Sequence, residues 1–179
     1  MKSSVSVITF AFVSQENGRG QLLDECLASV ASQKYGDYEH IVIDDGSTVD
    51  ISTMVGHFPN TKLVRKEQSG ILTNTATFNA GHIIAANKYC IYLASDDLQT
   101  ANCLSALTKF LDDNQRCVAV CGAAEYIDIE QNITQYKPDW ADNNPADLAN
   151  SLVYQGNKVS GCAVMWRNNS LDKETSLPP

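Results

Sequence analysis

The sequence predicts a layered α/β fold built on a mainly parallel sheet. Three observations carry that prediction. Short runs rich in Val, Ile and aromatic residues alternate with segments whose apolar residues recur at helical spacing. Two of the runs, at 41–43 and 91–94, are apolar on consecutive residues, as strands covered on both faces require. Both end in a pair of acids, Asp44-Asp45 and Asp96-Asp97.

Each element follows in order. "VSVITFAF" at 5–12 is a buried strand, and the polar "SQENGRG" at 14–20 is a loop. Leu22, Leu23, Cys26, Leu27 and Val30 share one helical face, giving a helix that ends near Gln33. "KYGDY" is a turn, and "EHIVIDD" at 39–45 is a second strand rich in β-branched residues. A short helix over 50–55 is stopped by Gly56 and Pro59. "TKLVRK" at 61–66 is the third strand, and a helix runs over 73–86. "KYCIYLA" at 88–94 is the fourth strand. Ala101, Leu104, Leu107 and Leu111 mark a helix that ends by Asn114, and "CVAVCGAAEYID" at 117–128 is one further strand. The resulting β-α-β-α-β-α-β-α-β order is the signature of a layered α/β domain. From 128 to 160 the chain turns polar, carries Pro138, Trp140 and Pro145, and looks helical only in "ADLANSLVY" at 146–154. "CAVMWR" at 162–167 is the last strand.

A chain of 179 residues supports one domain with a sizeable core. Its net charge of −8 opposes a nucleic-acid-binding surface, which would be basic. The acidity serves solubility or marks a local need for a divalent cation. No run of 18 apolar residues provides a transmembrane span, and the apolar N-terminal run reads as a strand rather than a signal peptide. The six cysteines form no CxxC and read as buried thiols of a reduced, cytoplasmic protein. His40, His57 and His82 are not at metal-ligand spacing, and no GxSxG is present.

In open α/β sheets ligands bind beyond the carboxyl ends of the strands, where both acid pairs fall. If their strands are neighbours, four carboxylates crowd one rim, and a cation or hydrogen-bond donors must offset the repulsion. Mg²⁺ and Mn²⁺ prefer oxygen ligands with phosphate as co-ligand. The ordinary alternative is that "DDGST" makes a turn and that Asp96-Asp97 caps the helix near Ala101.

With these residues in view, the chain resembles a family 2 glycosyltransferase of the GT-A fold, which implies a Rossmann-like three-layer α/β/α sandwich with a mainly parallel, partly mixed sheet. "VSVI" at 5–8, "LLDECLASVASQKYGDYEHIVIDDGST" at 22–48, "SGI" and "FNAG" within 69–81, and "YCIYLASDD" at 89–97 carry the resemblance. It implies a nucleotide-diphosphate sugar donor, most often a UDP-sugar, held by Thr9, Ala11, Asp45, Gly70, Asn79 and Asp96. Asp45 would hydrogen-bond the base, Asp96 would lie near the ribose and diphosphate, and Asp97 would coordinate Mn²⁺ or Mg²⁺. Asp44 has a structural part, capping the turn after it. The resemblance implies inverting transfer to a saccharide or lipid-linked acceptor. It implies a single domain over 1–179, with a nucleotide-sugar-binding half at 1–115 and a partial, cut-short acceptor-side half at 116–179. It also implies a role in polysaccharide biosynthesis, at a cytoplasmic place or peripherally at the inner membrane face; a homo-oligomer stays open.

Departures from the family pattern accompany the match. "FAFV" stands where a hydroxyl-bearing motif is usual, the loop at 14–20 is long, and Phe78 replaces an Arg before Asn79, which leaves the base open. The family's carboxylate base has no counterpart at the expected spacing: Asp172 and Glu174 come too early, and Asp139 and Asp142 are further candidates. Tyr136, Trp140 and Gly161 fall where acceptors would bind. Two other readings stay open: a nucleotide-sugar-binding module that does not catalyse transfer, and a nucleotidyltransferase, for which "NGRG" is a faint Gly-rich loop.

Overall fold

A computed structural model of the chain describes residues 4–67, 74–128, 132–136 and 160–168. Its elements run β1 (Val5–Ala11), α1 (Arg19–Ala31), β2 (Tyr38–Asp44), α2 (Ser52–Gly56), β3 (Thr61–Arg65), α3 (Asn74–Ile84), β4 (Tyr89–Ala94) and α4 (Cys103–Asp113). Then come β5 (Ala119–Cys121), β6 (Ala124–Ile127), β7 (Ile133–Tyr136), a 3-10 turn at Gly161–Ala163 and β8 (Val164–Arg167). The main sheet has six strands in the order β3-β2-β1-β4-β8-β5. β3, β2, β1 and β4 are parallel, whereas β8 runs antiparallel to both β4 and β5. This is the expected mainly parallel, partly mixed sheet.

Period-two alternation along β1 sorts the core into two faces. Val5 and Val7 pack with α1 and α4 through Cys26, Val30, Leu104, Leu107 and Leu111, and Ala11 packs with Leu23, Leu27 and Val55. On the opposite face Ile8 joins Ile41, Ile43 and Ala85 beneath α3. α3 lies so close that a Cβ at Gly81 would stand 2.3 Å from Ile8 Cγ2. Only glycine fits there, which accounts physically for the "FNAG" glycine.

The run at 117–128 departs from expectation, because it is two strands rather than one. Gly122 N–H still donates to Ala163 O at 2.9 Å, which extends the β5–β8 pairing by one bond, and the strand is broken over Gly122-Ala123. β5 stays in that sheet, and β6 pairs with β7 in a separate two-stranded ribbon. Cys162 and Ala163 likewise sit in the 3-10 turn rather than in the last strand. The expected helix at 146–154, Gly70, Trp140 and the base candidates Asp139, Asp142, Asp172 and Glu174 lie outside the described residues. No described helix is long and apolar enough to cross a membrane.

Candidate functional site

Both acid pairs end strands at the same rim, but their strands are not neighbours. β1 lies between them, with Ala11 in register with Asp44 and Phe10 with Ala94. Two strand spacings put the pairs about 10 Å apart across the rim, enough to bracket a ligand. The condition for four crowded carboxylates is therefore not met, and the rim carries two separate acidic points.

Asp44 is fully buried and builds the turn that follows it. Its Oδ1 accepts from Ser47 N–H at 2.8 Å, and its Oδ2 accepts from Arg65 Nη1 at 2.9 Å. Arg65 Nη2 also donates to Ser47 O at 2.8 Å, and Ser47 Oγ accepts from Val13 N–H at 2.9 Å. Gly46 between them has φ 75°, which glycine adopts without strain. The "DDGST" turn is thus tied to the end of β1. Asp45 N–H donates to Ala11 O at 2.8 Å, and the Asp45 carboxylate pairs with the Lys66 ammonium.

The β4 pair has a different environment. Asp96 meets Arg19, the first residue of α1, at Nη2–Oδ2 3.0 Å. Asp97 makes no ion pair among the described residues. Burial, and secondarily the charge of Asp96, hold its carboxyl above the usual carboxylate range, while a hydrogen bond with the Cys162 thiol acts in the opposite sense. Cys162 belongs to the 3-10 turn that leads into β8, so Gly161 and its neighbours edge the same point.

The segment after Asp97 is fastened by the last turn of α1 and the two residues beyond its cap. Gln33 Nε2 donates to Thr100 O at 2.8 Å, and its Oε1 accepts from Leu104 N–H at 3.1 Å, near the start of α4. Lys34 N–H donates to Ala101 O at 2.9 Å, and Gln99 N–H to Ser29 Oγ at 3.1 Å. The sequence motif contains Gln33, but nothing in its spacing reveals this tether. Arg19 and Lys66 escaped sequence reasoning for the same reason; only the parallel register of β2 and β3, which sets Asp44 opposite Arg65, would have hinted at cations there.

The other expected site residues divide. Thr9 is fully buried on the α1 face, and its hydroxyl lies 2.9 Å from His40 Nε2, so its side chain has no surface to offer a ligand. His40 is a core residue, its imidazole pushed down to about 4 by burial. Ala11 is also buried, and its carbonyl is taken by Asp45. Asn79 is half-buried on α3. Phe78, in the place of the family's Arg, packs between Phe10, tilted at 52°, and Tyr92, edge-on at 72°, at centroid distances of 4.5 and 4.9 Å. It fills the α3 face below the rim with aromatic surface instead of charge.

Among the described residues no three His, Cys, Asp or Glu side chains gather to hold a metal. Asp97 nonetheless fits a hard cation. It is a half-buried oxygen donor with no ion-pair partner among the described residues, and Mg²⁺-type sites commonly use one or two carboxylates plus substrate phosphates and water.

Comparison with known proteins bears on this rim. The family described as Glycosyl transferase family 2 matches residues 6–173. An uncharacterized glycosyltransferase of Rickettsia felis is 33% identical over 90 residues, which cover 50% of this chain and 15% of that protein. S. aureus TarS 1-349, solved in complex with UDP-GlcNAc, superposes with a TM-score of 0.72 at 18% identity, over 98% of this chain and 48% of that one. The mannosyltransferase PcManGT from Pyrobaculum calidifontis, solved in complex with GDP-Man and Mn²⁺, does so at 0.65 and 17%, over 99% and 48%. At these identities the solved structures establish the GT-A fold. This chain spans about half of the length of each.

Proposed function

The chain belongs to glycosyl transferase family 2, and from that premise we propose that it binds a nucleotide-diphosphate sugar across the rim formed by β2, β1 and β4. The sugar is then passed to a hydroxyl of a saccharide or lipid-linked acceptor. Membership sets aside the nucleotidyltransferase reading. The observation that carries the proposal is Asp97: a half-buried carboxylate without an ion-pair partner among the described residues, standing where the parallel strands deliver it.

In this reading Asp45 accepts a hydrogen bond from the base, and the Asp44–Arg65–Ser47 network holds it in place. Asp96 lies near the ribose and diphosphate. Asp97 would hold Mn²⁺ or Mg²⁺, with the donor's diphosphate supplying further oxygens. Such a cation supplies Lewis-acid neutralisation of charge on the departing diphosphate. The Gly161–Cys162 turn borders Asp97 and faces the acceptor side. TarS and PcManGT, with a UDP-sugar and a GDP-sugar, support a nucleotide-sugar donor and leave the base open between uracil and guanine.

Calorimetry tests this. UDP or GDP is expected to bind more tightly with Mn²⁺ than with EDTA, and release of nucleotide from its sugar is expected to rise when an acceptor is added. Equal affinity with Mn²⁺ and with EDTA would remove the metal role from Asp97. Failure of both nucleotides to bind would sink the donor site itself.

A further inference from the structure

Asp96 and Asp97 are adjacent, yet one is tied to a cation and the other is not. The tie comes from far away in the chain: Arg19 opens α1, 77 residues before Asp96, and its guanidinium reaches the end of β4. The pair is partly open to solvent, with side chains 43% and 37% exposed. Of the five N–H donors on a guanidinium, one is engaged with Asp96 at this contact, so the others can still meet anionic oxygens.

We propose that the Arg19–Asp96 bond is a latch that couples binding of the divalent cation to binding of the donor's diphosphate. This rests on the donor site proposed above and adds a residue to it. Closed, the latch leaves Arg19, Asp96 and Asp97 with a summed charge of −1, and the guanidinium repels a second cation close by. A cation on Asp97 is therefore favoured when Arg19 leaves Asp96. A diphosphate draws Arg19 away, because planar guanidinium donors match phosphate oxygens and bind them bidentately. It also frees Asp96 to accept a hydrogen bond from a sugar hydroxyl. Each ligand alone must open the latch. When both bind, one opening serves both, and that shared step appears as positive coupling between them. Arg19 thus has two alternative anionic partners, Asp96 in the closed latch and the diphosphate in the open one, and the coupling it creates is the same whichever ligand binds first.

The readout is the coupling factor, the ratio of Mn²⁺ affinities with and without saturating UDP or GDP, whichever nucleotide the parent binds. Mn²⁺ binding is followed by electron paramagnetic resonance of the free ion. In Arg19→Gln, Mn²⁺ alone is expected to bind about fivefold more tightly and the coupling factor to fall by about the same ratio. Arg19→Lys, which can still pair with either anion, should restore most of the coupling. The thermal midpoint should not move, since the pair is exposed. A coupling factor in Arg19→Gln within twofold of the parent's overturns the latch while leaving the donor site standing. A parent protein that binds neither nucleotide overturns the donor site, and the latch falls with it.

Discussion

The chain ends two parallel strands with the same dipeptide, Asp-Asp, and gives the two copies opposite surroundings. At β2, Asp44 and Asp45 each meet a cation from the adjoining strand end, Arg65 and Lys66. At β4, Asp96 meets a cation borrowed from α1, and Asp97 meets none among the described residues. The first pair is neutralised inside the protein, so it can be rigid and hold the shape of a turn. The second keeps a carboxylate, that of Asp97, with no counter-charge among the described residues. In the site proposed above, the missing counter-charge among the described residues is what singles out Asp97, of the four acids, for the cation.

Asp97→Asn gives the largest effect and separates the two roles most sharply. If Asp97 waits for a cation, losing its charge removes the metal-dependent part of diphosphate stabilisation. Transfer or metal-dependent nucleotide binding should fall about 10³-fold, equivalent to about 4 kcal/mol. Folding stability should stay level or rise, because a half-buried charge held back by desolvation has been removed. A thermal melt beside a nucleotide-release assay checks both. A lowered midpoint with activity within tenfold of the parent would place Asp97 in the scaffold and erase the contrast.

Asp44→Ala should do the reverse. Its buried carboxylate satisfies Ser47 N–H and Arg65 together. Removing it leaves a buried donor without its acceptor and loosens the turn that carries Asp45. Arg65 is 55% exposed and regains water, which limits the loss to about 3 kcal/mol. Urea unfolding measures it, and a loss under about 1 kcal/mol would mean that water replaces the network without difficulty.

Much of this contrast was legible in the sequence, but only in part. Apolar runs at 5–12, 39–45 and 88–94 showed the strands because burial on both faces removes polar alternation, and the strand ends showed the rim. The run at 117–128 misled because continuous apolar character cannot distinguish one long strand from two with a break. Gly122 was the available signal for that break. β8 inserts antiparallel between β4 and β5, and no local pattern encodes which neighbour a strand will choose. The pairing of acids with cations was hidden for the same reason: Arg65 stands 21 residues from Asp44, and Arg19 stands 77 from Asp96. Thr9 enters through the resemblance alone; only the register of β1 on β2, which no local pattern reveals, sets its hydroxyl beside His40.

The smallest effect probes how the second acid pair is held when it lacks the cation clamp of the first. Arg65 anchors the β2 turn through charge, whereas the segment after Asp97 is anchored by a neutral side chain, Gln33, through the carbonyl of Thr100 and the N–H of Leu104. Each such bond contributes roughly 1 kcal/mol net, so Gln33→Ala should cost about 1–2 kcal/mol in stability, less than Asp44→Ala. Its functional effect should be out of proportion to that loss. Gln33 sits 9% exposed beneath the rim and cannot touch a ligand, yet it fixes where the chain leaves Asp97. Loosening it lets the carboxylates of Asp96 and Asp97 wander while their chemistry stays intact. Metal-dependent nucleotide binding should weaken severalfold, and binding with EDTA, which does not use Asp97, should change less. Gln33→Glu keeps the acceptor for Leu104 N–H but loses the donor to Thr100, and should fall between the parent and Gln33→Ala. Equal weakening with and without Mn²⁺ would show that Gln33 supports the fold as a whole and not the place of the second acid pair.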